Sequence, residues 1–319
     1  MKMKLFLLPV TMLFAVVTPS EAQTESPFDS VQQIKEVVIS TTRIPEMKSN
    51  AAASVTIIDH NQIAAMAKIA PDMSKLLGLL TPGMALSSNT TSSRSQSLRG
   101  RSALILIDGI PQSTPLRSTD RDIRTIDVSA IDHIEVVKGS TALYGNGAIG
   151  GLINIITKKD VTGKSIAGQT SLSGSTYNFF RQKRGQGYRL NQQLYGTVGK
   201  FDYLVNGAFG RTGSSVDGSG QFISPRYGLG DTYTTNALVK LGYALSPKNR
   251  LEFMYNFYRS LQDTKLIPSA GKYLEKPAIG ILGNKDPQAV DEGTRYNHNS
   301  YLKFTSRELF SHTDFEASI

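Results

Sequence analysis

The 319-residue chain contains no cysteine and no tryptophan, and only four histidines. Each absence removes a class of protein. Without cysteine there is no disulfide framework, no thiol nucleophile and no zinc–thiolate site. His60, His133, His298 and His312 show no H-E-x-x-H or other paired spacing, and no G-x-S-x-G occurs, which removes the common metalloprotease and hydrolase patterns. Asp108 and Glu135 can be counted as carboxylates, but nothing marks them as a catalytic pair. The chain therefore reads as a non-enzyme. After the N-terminus no stretch reaches about 18 consecutive apolar residues, which excludes a helical membrane span. A β-barrel stays open, because its signal per strand is weak. Also missing is any block of five or six basic residues, although 35 Lys+Arg stand against 26 Asp+Glu. The net charge of +9 thus points away from nucleic acid and toward an anionic ligand or a lipopolysaccharide surface.

What is present begins with a secretory pattern. Lys2 and Lys4 precede an apolar core from Leu5 to Val17, and Ser20-Glu21-Ala22 supplies small residues at the −3 and −1 positions. Residues 1–22 are therefore read as a signal peptide cleaved after Ala22, its core too short to span a membrane. Residues 23–47 form a polar leader that contains Lys35-Glu36-Val37-Val38-Ile39-Ser40-Thr41-Thr42-Arg43. Such a short β-branched segment can add to a partner's sheet edge or serve as the first strand of the next domain. Its pattern does not separate the two.

Residues 48–160 read as one small α+β domain. The sequence predicts a strand at Ser54 to Ile58, a helix capped by Asp59, and a second helix capped by Asp72 that runs from Met73 to Leu80. A buried strand at Leu104 to Ile107 ends in an Asp108-Gly109 turn. Two polar loops, Ser87 to Gln96 and Pro111 to Arg124, carry several arginines. Beyond Lys158 the texture changes to segments of about ten residues with a period of two. Tyr188, Leu190, Leu194 and Val198 oppose Arg189, Asn191, Gln193 and Thr197. Similar faces occur at 201–209, 237–245 and 250–257, with weaker ones at 165–174, 296–305 and 312–319. Tight turns at 199–200, 246–249 and 306–311 alternate with long polar connections at 175–187, 210–233 and 260–295, as in an outer-membrane barrel.

Between the two textures lies a glycine-dense stretch. Gly145-Asn146-Gly147-Ala148-Ile149-Gly150 matches the dinucleotide fingerprint in letters. That motif needs a helix after it and an acid about 20 residues on. Leu152 to Thr157 is short and β-branched, and no Asp or Glu lies between Val161 and Lys200. The glycines are better read as sharp backbone turns at the entry to a strand.

Four motifs in order now carry a resemblance: Ser97-Leu98-Arg99-Gly100, Leu104 to Gly109, Ile131 to Gly139, and Tyr144 to Thr157. Together they resemble the plug domain of TonB-dependent outer-membrane receptors. Glu36, Val37, Val38, Ile39 and Ser40 then resemble the TonB box. The run from Arg117 to Ile126, followed by Ile131 to Val136, is most similar to the ferric aerobactin receptor branch, which takes up citrate–hydroxamate siderophores. Cobalamin, heme or saccharide ligands remain alternatives, as does a soluble exported binding module. The resemblance implies an α+β plug followed by the strands of an antiparallel transmembrane β-barrel of about 22 strands. It also implies TonB as energising partner, a ferric siderophore as ligand, outer-membrane lipid or lipopolysaccharide as surroundings, and no cofactor, the iron arriving within the ligand.

An anionic ligand would be met by Arg94, Arg117 and Arg121 on the plug loops and by Arg181, Lys183 and Arg184 on the first external loop. Tyr177, Phe179 and Phe180 fit an aromatic girdle. Arg99 and Lys138 match positions at which basic plug residues pair with barrel carboxylates, Lys138 in place of the commoner arginine. Residues 161–319 supply seven candidate strands and stop at Ile319 within one. Open edges are not tolerated in lipid. The chain is therefore expected to be the N-terminal part of a receptor, unable to insert or transport alone.

Overall fold

The computed structural model describes residues 38–39, 46–47, 54–90, 96–112, 122–144, 147–159, 163–176, 185–283, 296–309 and 313–319. Strand β1 (Val38–Ile39) pairs antiparallel with β2 (Glu46–Met47). Glu36, Val37 and Ser40 lie outside the described residues.

The first domain is built on a mixed sheet. Ser54–Ile58 forms β3, and Asp59 then caps helix α1 (His60–Ala67) through a reciprocal pair of hydrogen bonds with Gln62. Asp72 accepts from the Ser74 and Lys75 amides and starts α2 (Met73–Leu80), which buries Met73, Leu76 and Leu77. These caps satisfy amides that the first turn of a helix leaves orphaned. Next come β4 (Ala103–Ile107), β5 (Ile110–Pro111), β6 (Ile131–Lys138) and β7 (Gly151–Thr157). The sheet order is β3-β6-β7-β4-β5, and β4 is parallel to β7. Because β4 is covered on both faces, its sequence is apolar throughout. Ile58, Leu76, Leu77, Ile105, Ile107, Ile131 and Ile134 form the centre of the core, each contributing about 1.5–3 kcal/mol of burial.

Two turns depend on backbone that few residues adopt. Asp108 and Gly109, at φ 49° and 84°, close the β4–β5 hairpin in a two-residue loop. Gly151, at φ 135°, opens β7, and a Cβ there would lie 2.1 Å from the Val137 carbonyl oxygen. The glycine-dense stretch therefore leads into a strand and not a helix.

The second half is one antiparallel sheet. Its strands are β8 (Ala167–Thr176), β9 (Gln186–Val198), β10 (Phe201–Thr212), β11 (Thr232–Ala244), β12 (Asn249–Gln262), β15 (Asn297–Leu309) and β16 (Thr313–Ser318). Each neighbours the next in the order β8-β9-β10-β11-β12-β15-β16. These seven strands are the seven that the period-two pattern predicts. A separate hairpin, β13 (Leu266–Ser269) with β14 (Ile279–Leu282), rises from the β12–β15 connection, which the sequence reads only as a polar loop. It packs on the β10–β11 connection, where Ile223 bridges Ile279 and the Gly280 amide donates to the Phe222 carbonyl at 2.8 Å.

Burial on this sheet is inverted relative to a soluble fold. Leu190, Leu194, Val198, Val205, Phe209, Phe253 and Leu302 are exposed, while Asn191, Gln193, Asn206, Asn236, Lys240, Glu252 and Asn256 are buried. The buried face meets the first domain. An apolar outer surface over a polar interior is the arrangement of a sheet whose solvent is lipid. Among the described residues no helix is long and apolar enough to cross a membrane.

Candidate functional site

The chemistry is concentrated where the mixed sheet meets the polar face of the long one. Toward the end of the long sheet that carries the tight turns, Asp108 is gripped by charged groups. Its Oδ2 accepts from Lys240 Nζ at 2.9 Å, Thr157 Oγ1 at 2.7 Å and Tyr301 OH at 2.8 Å. Its Oδ1 accepts from the Thr157 amide at 2.9 Å, and its own carbonyl accepts from Lys303 Nζ at 2.6 Å. Lys240, Glu252, Tyr301 and Lys303 share this space because β11, β12 and β15 are neighbours and all four side chains point inward. Tyr301 OH also stands 2.7 Å from Glu252 Oε1, so one hydroxyl proton serves two carboxylates. Arg250, itself paired with Asp202 at 2.7 and 2.9 Å, lies 3.6 Å from Glu252. Burial alone would raise the Asp108 carboxyl, but the Lys240 charge and the Thr157 and Lys240 hydrogen bonds outweigh it, and the pKa falls from 3.8 to about 2.

A polar chain leads from this group toward the surface of the mixed sheet. The Gly109 amide donates to Asn154 Oδ1 at 2.9 Å, and Asn154 Nδ2 donates to Glu135 at 3.3 Å. His133 bridges Glu135 at 3.4 Å and Asp132 at 2.7 Å. Burial opposes a charge on this ring, yet its hydrogen bonds to Asp132 and Glu135 hold the proton, and the pKa rises from 6.5 to about 9.

Nearer the long connections the contacts change character. The Thr125 carbonyl accepts from Asn236 Nδ2 at 3.1 Å and Asn256 Nδ2 at 2.8 Å. Ser129 Oγ donates to Asn206 at 3.0 Å, and its carbonyl accepts from Gln193 Nε2 at 3.1 Å. Asp127 pairs with Arg189. Arg124 ties the end of one polar loop to the start of helix α2, reaching Ser74 Oγ at 2.9 Å and Asp72 at 3.6 Å.

Most residues singled out from the sequence fall elsewhere. Arg94, Arg117, Arg121, Arg181, Lys183 and Arg184 lie outside the described residues, as do Tyr177, Phe179 and Phe180. Arg99 is exposed at φ 53°, its amide donating to the Gly83 carbonyl at 2.7 Å. Lys138 is half-buried at the end of β6, opposite Ser54 and Gly151. Among the described residues the ionic contacts between the two sheets run both ways: Asp108 and Asp127 of the plug meet Lys240 and Arg189 of the long sheet, and Lys159, just after β7, meets Glu252 at 3.4 Å. Sequence reasoning missed the Asp108 contact because Asp108 reads as an ordinary Asp-Gly turn. The one available signal was that Lys240 and Glu252 sit on the polar faces of their strands.

Comparison with known proteins decides the family. The description "TonB-dependent Receptor Plug Domain" matches residues 47–152. The rhizobactin receptor of Rhizobium meliloti (strain 1021) is 31% identical over 254 residues, 74% of this chain and 32% of that one. The chain belongs to the TonB-dependent receptor family. It spans about a third of the rhizobactin receptor's length. The ferric aerobactin receptor of Klebsiella pneumoniae is 34% identical over 122 residues, 38% of this receptor and 16% of the relative. The solved structure of the alcaligin outer-membrane receptor from Bordetella pertussis shares the fold at a TM-score of 0.60 and 15% identity, covering 88% of this receptor and 41% of that chain. The mixed sheet is thus the plug and the long sheet belongs to the barrel wall. Asp108 is the most deeply buried of the charged points at which the two meet among the described residues.

Proposed function

We propose that this receptor is an outer-membrane transporter that takes up a ferric siderophore of the citrate–hydroxamate class, with energy delivered through TonB. The observation that supports transport is a plug seated on the polar inner face of a sheet whose outer face is apolar. The likeness to receptors named for rhizobactin and ferric aerobactin supports the substrate class. Residues 1–22 export the chain, 23–47 carry the TonB box at Glu36–Ser40, 48–160 form the plug and 161–319 begin the barrel. Val38–Ile39 is extended and already pairs with another strand, the backbone form that strand addition to a partner sheet requires. Arg94, Arg117 and Arg121 from the plug, with Arg181, Lys183 and Arg184 from the first external loop, supply cations for the ligand's carboxylates. Arg99 and Lys138 anchor the plug to carboxylates of the barrel. Lipid and lipopolysaccharide cover the apolar outer face. Iron arrives within the ligand, and no cofactor takes part.

Uptake under iron limitation, measured with a panel of ferric siderophores in cells whose uptake depends on this receptor, tests the reading. Citrate–hydroxamate chelates should enter and catecholates should not; the reverse result overturns the substrate class. Deleting residues 36–40 should abolish uptake while leaving surface binding intact.

A further inference from the structure

The environment of Asp108 is unusual in being supplied almost wholly by its neighbours. Four donors, Lys240 Nζ, Tyr301 OH, Thr157 Oγ1 and the Thr157 amide, converge on one carboxylate within 2.7–2.9 Å. Two of them stand on the barrel wall and stay there whatever the plug does. Lys240, Lys303 and Arg250 face Glu252 and Asp202, and the third carboxylate of the set is Asp108. Lys159 and Glu316, at 52% and 55% side-chain exposure, add one charge of each sign at the edge. Among the described residues, removal of Asp108 leaves the buried Lys240 with Glu252, at 3.5 Å, as its remaining carboxylate. Removing one partner of a buried ion pair destabilises the fold, and an anion that binds in its place restores stability by mass action.

We propose that Lys240 and Tyr301 form a carboxylate-binding seat on the wall, filled in the resting receptor by the plug's own Asp108, that accepts a carboxylate from another molecule when Asp108 is withdrawn. Glu252 makes withdrawal feasible, since Tyr301 OH and Lys240 Nζ each have it as a second acceptor at 2.7 and 3.5 Å. In the transport cycle the incoming carboxylate is one borne by the ferric chelate, which passes the wall as the Asp108–Gly109 turn moves away. That step rests on the transport reading above, whereas the carboxylate preference of the seat does not.

Asp108→Gly empties the seat without backbone penalty, because φ 49° is a conformation that glycine adopts freely. The variant and the parent receptor, purified in detergent, are melted in sodium formate and in sodium chloride at equal ionic strength. The variant should melt lower than the parent in chloride, and formate should raise its midpoint by about 2–4 °C. The parent, with its seat filled, should melt alike in both salts. Adding Lys240→Met to the variant should remove the formate effect. If Asp108→Gly does not fold in chloride, the yield of folded receptor recovered in formate against chloride is the same measurement. An equal response of variant and parent to formate overturns the seat. Formate rescue without siderophore uptake by the parent leaves the seat and overturns the transport reading; uptake without formate rescue does the opposite.

Discussion

The plug is held by two kinds of contact whose physics differ. Near the tight turns of the barrel wall the contact is ionic, with Asp108, Lys240 and Glu252 buried together. Nearer the long connections it is mostly neutral, with asparagine amides meeting the backbone carbonyl of Thr125 and a single ion pair, Asp127 with Arg189, among the described residues. Neutral hydrogen bonds to a carbonyl exchange readily with water and contribute little net stability each. A buried ion pair is different: removing one partner leaves the other less well compensated in a place that water does not reach. Among the described residues the plug is therefore grazed along much of its surface and held by charge at a few points, the most deeply buried being the Asp108–Gly109 turn.

The contrast is tested most severely by Lys240→Met, which strands Asp108 and Glu252 without their shared cation. Unfolding of the purified receptor should show a loss of about 3–5 kcal/mol. If the loss is no greater than at an asparagine, the two kinds of contact are not distinct. Acid should reach the ionic contact next. Asp108 has its pKa lowered from 3.8 to about 2, so its contribution is complete above pH 3.8 and disappears as pH falls through about 2. That linkage amounts to about 2 kcal/mol, and a melt of Asp108→Asn across the same range should be flatter by that amount. At the alkaline end His133 runs the other way. Its folded pKa is raised from 6.5 to about 9, so the stability it supplies is full below pH 6.5 and is lost as pH rises through about 9; His133→Gln should remove that alkaline slope.

Asn256→Ala removes one neutral donor to Thr125 and should cost about 1–2 kcal/mol in the same unfolding assay. The smallest change is expected from Lys248→Ala, which breaks an exposed pair with Glu308 at the barrel's edge. Such a pair is worth under about 1 kcal/mol, and a larger effect would show that the wall depends on more than its lumen.

The strands were legible because period-two alternation is imposed on every wall strand at once by lipid outside and plug inside. The caps at Asp59 and Asp72 were legible because a capping side chain acts within three residues of its own position. The plug–barrel contact was not, since Asp108 meets Lys240 and Tyr301 across 132 and 193 residues of chain. Nothing local to a turn reveals which distant strand faces it. The β13–β14 hairpin escaped for another reason. Leu266-Ile267-Pro268-Ser269 and Ile279-Gly280-Ile281-Leu282 are too short, and too interrupted by proline and glycine, to display a period.

That hairpin is also a ready attachment point. Its ladder is clamped to the β10–β11 connection by the Ile223–Ile279 bridge, while Tyr273 and Leu274 in the loop beyond are 89% and 90% exposed. A short epitope inserted between those two residues would stand clear of the wall and of the plug. Antibody labelling of unbroken cells carrying it would then report which face of the membrane the loop occupies.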